Sequence, residues 1–119
     1  MKKRKCITFL CVALSLVMLL SVTGFAGSVS FTADSGASAT GSTGYSSGST
    51  SVSSPMYVYV EIDFVYFDSN AFGHTVSNNA SNSGTNITTY VSVPSDVARY
   101  DGTYGTHVAG SKRAYSEYH

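Results

Sequence analysis

"PMYVYVEIDFVY", residues 55–66, decides how this chain folds. Side chains of a strand point alternately to its two sides. Met56, Val58, Val60, Ile62, Phe64 and Tyr66 therefore share one face, and Tyr57, Tyr59, Glu61, Asp63, Val65 and Phe67 share the other. The apolar set predicts the core side of a strand. The two carboxylates belong to the second face, between aromatic rings. Their charge also discourages "MYVYV" and "FVYF" from pairing edge to edge with another chain.

Working outward, the same period-two signal recurs in "SVSFTAD", where Val29, Phe31 and Ala33 fall on one side. Residues 35–54, "SGASATGSTGYSSGSTSVSS", are almost wholly Ser, Gly, Thr and Ala. With so few apolar anchors, this stretch is expected to form a loop or weakly ordered strands. Downstream, "DSNAFG" (68–73) reads as a turn, "HTVS" (74–77) as a short return strand and "NNASNSGTN" (78–86) as a loop. "ITTYVSV" (87–93) reads as a strand stopped by Pro94, and "ARYDGTYGTHVAG" as two short strands around Asp101-Gly102. "RAYSEYH" supplies the last strand. No stretch beyond the first 26 residues carries the 3.6-residue apolar spacing of a stable helix. The expected fold is all-β: a small antiparallel β-sandwich or meander, preceded by a cleavable signal helix.

That signal is read from the N-terminus. "MKKRK" places four positive charges before an apolar run from Cys6 to Leu20, and the small residues of "SVTGFAG" follow. This is the pattern of a secretory leader, with cleavage expected after Ala26. The run of about 15 residues is short of the roughly 20 that span a bilayer, so no stable membrane anchor is expected in the mature form. The expected organisation is a signal peptide over 1–26, an N-terminal strand with a Ser/Gly/Thr-rich low-complexity segment over 27–54, and a β-rich domain over 55–119.

Cleavage would remove both cysteines and four of the seven basic residues. Arg99, Lys112 and Arg113 then stand against Asp34, Glu61, Asp63, Asp68, Asp96, Asp101 and Glu117; three less seven is a charge of −4. Such a surface lacks the basic cluster that nucleic acid or an anionic membrane requires. A long basic head on a cysteine-free product suits a Gram-positive secretome. Only in a eukaryote would "NAS" (79–81) and "NIT" (86–88) be glycosylation sites.

The motifs that suggest catalysis or metal binding are weak. "GYSSG" (44–48) fits the nucleophile-elbow pattern, but it lies in a Ser/Gly tract with no helix expected after it. "DSNAFG" begins like a calcium loop, yet Phe72 and Asn79 occupy positions where oxygen ligands belong. His74, His107 and His119 show no metal spacing. His107 is expected to be a strand residue partnered by backbone or by a Tyr hydroxyl. Neither an enzyme, a cofactor nor a metal is expected.

Glu61 and Asp63, two apart on a strand, lie about 6.5 Å apart at their α-carbons, and their side chains can bring the carboxyl groups to the separation glycosidases use. A chain this short, without tryptophan, is a poor host for the deep cleft such chemistry needs. Binding is less demanding. Tyr57, Tyr59, Glu61 and Asp63 are the candidate binding residues, and an extracellular glycan or protein surface is the expected partner. The alternatives are a bacteriocin- or toxin-like secreted peptide and a self-assembling matrix component.

Overall fold

A computed structural model describes residues 27–119; the leader expected over 1–26 lies outside the described residues. The described chain is all-β and antiparallel. Its strands are β1 (Ser28–Thr32), β2 (Ser38–Thr43), β3 (Ser47–Phe67), β4 (Gly73–Tyr90), β5 (Arg99–Ala109) and β6 (Lys112–Tyr118), with one 3-10 turn at Asp34–Gly36. They form a single six-stranded sheet in the order β1-β2-β3-β5-β6, with β4 also paired to β3. The sheet curls until it is nearly closed into a barrel, with β1 brought against β6.

The 21-residue β3 makes this possible. β4 pairs with β3 along most of its length, while β3 pairs first with β2 (Gly48–Val52) and then with β5 (Val58–Phe67). Between the two runs the β3–β4 register jumps from Ser51↔Asn86 to Met56↔Gly84, so residues 52–55 face only Thr85. Pro55 sits in that irregularity, where its missing N–H breaks no ladder bond. The strand turns a corner there, and its two halves come to face each other across the core. β4 bends with it, and its two halves are joined where the Asn78 side-chain amide donates to the Tyr90 carbonyl at 2.7 Å.

The expected partition of β3 is what the sheet adopts. Val58, Val60, Ile62 and Phe64 are fully buried, whereas Tyr57 is exposed and Tyr59, Glu61 and Asp63 are half-buried on the opposite side. Two apolar clusters result. One joins Ala33, Ala39, Val52, Val58 and Ala109. The other joins Val60, Ile62, Phe64, Tyr66 and Val91. Tyr45, from the β2–β3 turn, meets Phe64 edge-on with ring centroids 5.2 Å apart.

Three local expectations are corrected. The Ser/Gly tract over 35–54 is not a loop: most of it forms β2 and the first part of β3. Its small residues are what the packing requires. A side chain at Gly41 would strike the His107 ring, and one at Gly48 would strike Ile62, so the two halves of the sheet approach closely only over glycine. Residues 78–86 are likewise not a loop but the middle of β4, because β3 presents backbone partners to all of them except Thr85. Tertiary pairing outweighs the weak strand propensity of Asn, Ser and Gly. Finally, β5 is one strand and not two. Gly102 absorbs a register shift at φ 155°, and no hairpin forms at Asp101-Gly102.

Between the two apolar clusters lies a buried polar knot. The Thr50 hydroxyl donates to the Tyr59 carbonyl at 2.9 Å. It must therefore accept from His107, whose Nδ1 lies 2.9 Å away. With the proton on Nδ1, Nε2 accepts from the Ser116 hydroxyl at 2.8 Å, and Ser116 in turn accepts from Thr43 at 2.7 Å. His107 is thus partnered mainly by hydroxyls, with the Ser49 backbone as a further partner of the kind expected; no tyrosine hydroxyl takes part. Hydroxyls satisfy both ring nitrogens without a charge, as a buried imidazole requires.

Burial lowers the His107 pKa from 6.5 to about 4. A proton taken up near pH 6 thus binds the unfolded chain and not the folded one. The stability His107 confers is complete above pH 6.5 and falls as pH drops toward 4, by about 3 kcal/mol over that window. Thermal unfolding followed from pH 7 to 4.5 is expected to show this loss, and a His107→Gln variant is expected to show a markedly shallower slope over the same range.

Candidate functional site

The outer face of β3 does not stand alone. Strand register sets neighbours beside each of its residues. Tyr59 lies between Ser81 of β4 and Val108 of β5, Glu61 between Asn79 and Thr106, and Asp63 between Ser77 and Tyr104. On β6 the row continues with Arg113 beside Val108, Tyr115 beside Thr106, and Glu117 beside Tyr104. Neighbouring strands lie about 4.8 Å apart and same-face residues about 6.5–7 Å apart along a strand. The result is a gently twisted plaque of phenols, carboxylates and small polar groups.

The structure brings all four sequence-predicted residues onto this plaque and orders them. The Tyr59 hydroxyl donates to Glu61 Oε1 at 2.8 Å. Ser77 Oγ donates to Asp63 Oδ1 at 2.6 Å. Both carboxylates are half-buried on the outer side of the sheet. Tyr57 and Tyr115 present 47% and 59% of their surface, enough for a flat ligand to stack on either ring. Tyr104, Tyr115, Arg113 and Glu117 could not be assigned to this face from sequence, because membership depends on cross-strand register.

A second constellation lies at the end of the sheet. Asp68 in the β3–β4 turn, His74 at the start of β4 and Asp96 in the β4–β5 connection place one ligand atom each within 4.8 Å of one another. Asp68 Oδ1 accepts the backbone amides of Asn70 and Phe72, and its Oδ2 lies 2.8 Å from His74 Nε2. The hydrogen bond from His74 and then the Phe72 amide hold the Asp68 carboxyl below its ordinary range. The turn expected at 68–73 is present. The His74 contacts were missed because 22 residues separate it from Asp96 and no motif has that spacing.

His107 and Ser116 stand at the separation of a nucleophile–base pair. Both are buried, so a substrate has no approach to the serine. "GYSSG" spans the β2–β3 connection, and Gly48 continues directly into strand, without the helix that a nucleophile elbow needs. Comparison with protein-family models, with curated proteins and with solved structures finds no match to this chain.

The Tyr59–Glu61 hydrogen bond has a spectroscopic consequence. That bond, with burial and the charge of Glu61, raises the Tyr59 pKa above the ordinary phenol value. In an ultraviolet titration, Glu61→Gln is expected to shift the ionisation of one tyrosine to lower pH. Tyr59→Phe is expected to remove that same transition.

Proposed function

We propose that the chain is a secreted, non-enzymatic binding module. Its leader is removed after Ala26, and its outer sheet face takes an uncharged, hydroxyl-rich glycan of the cell envelope. One observation carries the reading: phenol rings, Tyr57 exposed and Tyr59 half-buried, stand beside carboxylates that already accept hydrogen bonds from hydroxyls, Tyr59 to Glu61 and Ser77 to Asp63. Sugars offer the two matching surfaces, an apolar C–H face for stacking and a ring of hydroxyl donors. The acidic balance of residues 27–119 disfavours anionic polymers, and the plaque supports adsorption of an extended chain over hydrolysis.

Retention on insoluble peptidoglycan and on neutral polysaccharides tests this reading. Tyr57→Ala and Tyr59→Ala each remove an outward ring without touching the core. Each is expected to weaken retention roughly tenfold, equivalent to about 1.4 kcal/mol. Absence of retention on every matrix, or retention by both variants unchanged from that of the unsubstituted protein, overturns the proposal.

A second reading, self-assembly, is favoured by one feature of β4. Among the described residues this 18-residue strand pairs along one edge only, and it contains no Asp, Glu, Lys or Arg. It lacks the charges that normally blunt a free edge. If copies pair through it, sedimentation of the purified protein shows concentration-dependent polymers that Asn82→Lys abolishes. Asn82 lies opposite Val58, away from the tyrosine face, so this variant leaves the glycan surface intact.

A further inference from the structure

We infer that Asp68, His74 and Asp96 form a binding site for one divalent first-row transition ion, with zinc the best match to the donor set. Three separate segments converge there: the β3–β4 turn, the first residues of β4 and the loop before β5. Their ligand atoms all lie within 4.8 Å. Donors around a tetrahedral zinc at about 2.1 Å sit about 3.4 Å apart. Small side-chain rotations of these partly exposed groups span the difference.

Each ligand is held in place by a group outside the trio. Backbone amides of Asn70 and Phe72 fix Asp68 through Oδ1, leaving Oδ2 directed at the site. The Tyr66 ring stacks on the His74 imidazole, with centroids 5.1 Å apart and planes 22° from parallel. The Tyr66 hydroxyl donates to Asp96 Oδ1 at 2.9 Å. One buried tyrosine therefore orients two of the three ligands, stacking on His74 and supplying Asp96 with the hydrogen bond that ligating carboxylates commonly receive from their outer shell.

Charge points the same way. Two carboxylates approach each other here, and among the described residues no lysine or arginine bridges either of them. A bound cation would offset their mutual repulsion at the point where they converge. At neutral pH a metal would take the place of the proton between His74 Nε2 and Asp68 Oδ2, so binding competes with acid. One imidazole and two carboxylates suit zinc or manganese better than calcium, which prefers an all-oxygen cage. An ion there would tie the loop before β5 to the β3–β4 turn and leave a coordination position open to solvent.

The other surface histidine is a built-in control. His119 Nε2 lies 2.8 Å from Glu117, the same separation as His74 from Asp68, but no third ligand joins them. Calorimetric titration of the purified protein with zinc at pH 7.5 is expected to give one ion per chain. His74→Ala, Asp68→Asn and Asp96→Asn are each expected to weaken binding at least tenfold, and His119→Ala is expected to leave it unchanged. Asp96→Asn lies on the surface and can still accept from Tyr66, so it tests the site even if another variant misfolds. The bound ion is also expected to raise the thermal midpoint at pH 7.5 and to lose that effect by pH 5. No saturable uptake, uptake unaffected by His74→Ala, or equal loss in His119→Ala overturns the inference.

Discussion

The corner in β3 is the constraint on which the rest of the structure depends. A straight strand of this length would extend about 70 Å and could not enclose a core. By breaking register over residues 52–55, β3 places its first part in one half of the sheet and its second part in the other. The inward row that begins at Thr50 then faces the row of Val58, Val60, Ile62 and Phe64, and all are buried. β2 and β5, which never pair with each other, come to lie on opposite sides of the same interior. The close approach is set by glycine: Gly41 lies against the His107 ring and Gly48 against Ile62. A core made this way needs few large side chains, which fits a described chain without cysteine or tryptophan.

That closeness explains why a histidine is tolerated in the middle. Thr43, Thr50, His107 and Ser116 fill a slot too narrow for a second layer of aliphatic side chains, and each hydroxyl has a partner. A buried polar group is costly mainly when unsatisfied. A fully connected knot also favours one register of β2 over β5. A slip by one residue would reverse the direction of Thr43 and break the set.

The periodicity of residues 55–67 was legible because a half-buried strand writes its two faces directly into sequence. β1, the turn at 68–73 and the last strand were legible for related reasons. The middle of β4 was not. "NNASNSGTN" has the composition of a loop, and it becomes strand only because β3 offers it a long row of partners. The Ser/Gly tract was misread for a complementary reason: its glycines are there to admit neighbours, and neighbours do not appear in a one-dimensional pattern. The site divides along the same line. Tyr57, Tyr59, Glu61 and Asp63 share a face by counting alone, while Tyr104, Tyr115 and the meeting of Asp68, His74 and Asp96 depend on which strands lie side by side.

The treatment of acidic groups connects these surfaces. With seven carboxylates and three cationic side chains in residues 27–119, most acids cannot be met by ion pairs. Only Arg99 and Asp101 form a Lys/Arg pair among the described residues, and at 4.0 Å on an exposed surface it contributes little. Hydroxyls and amides take over that task. Ser111 serves Asp34, Tyr59 serves Glu61, Ser77 serves Asp63, and the amides of Asn70 and Phe72 serve Asp68. Where single carboxylates stand on the open face, this solution leaves acceptors already adapted to hydroxyl donors, which is the chemistry a glycan brings. At the end of the sheet two carboxylates meet at one point, and neutral donors cannot cancel two charges. That is where, by our inference, a metal ion completes the balance.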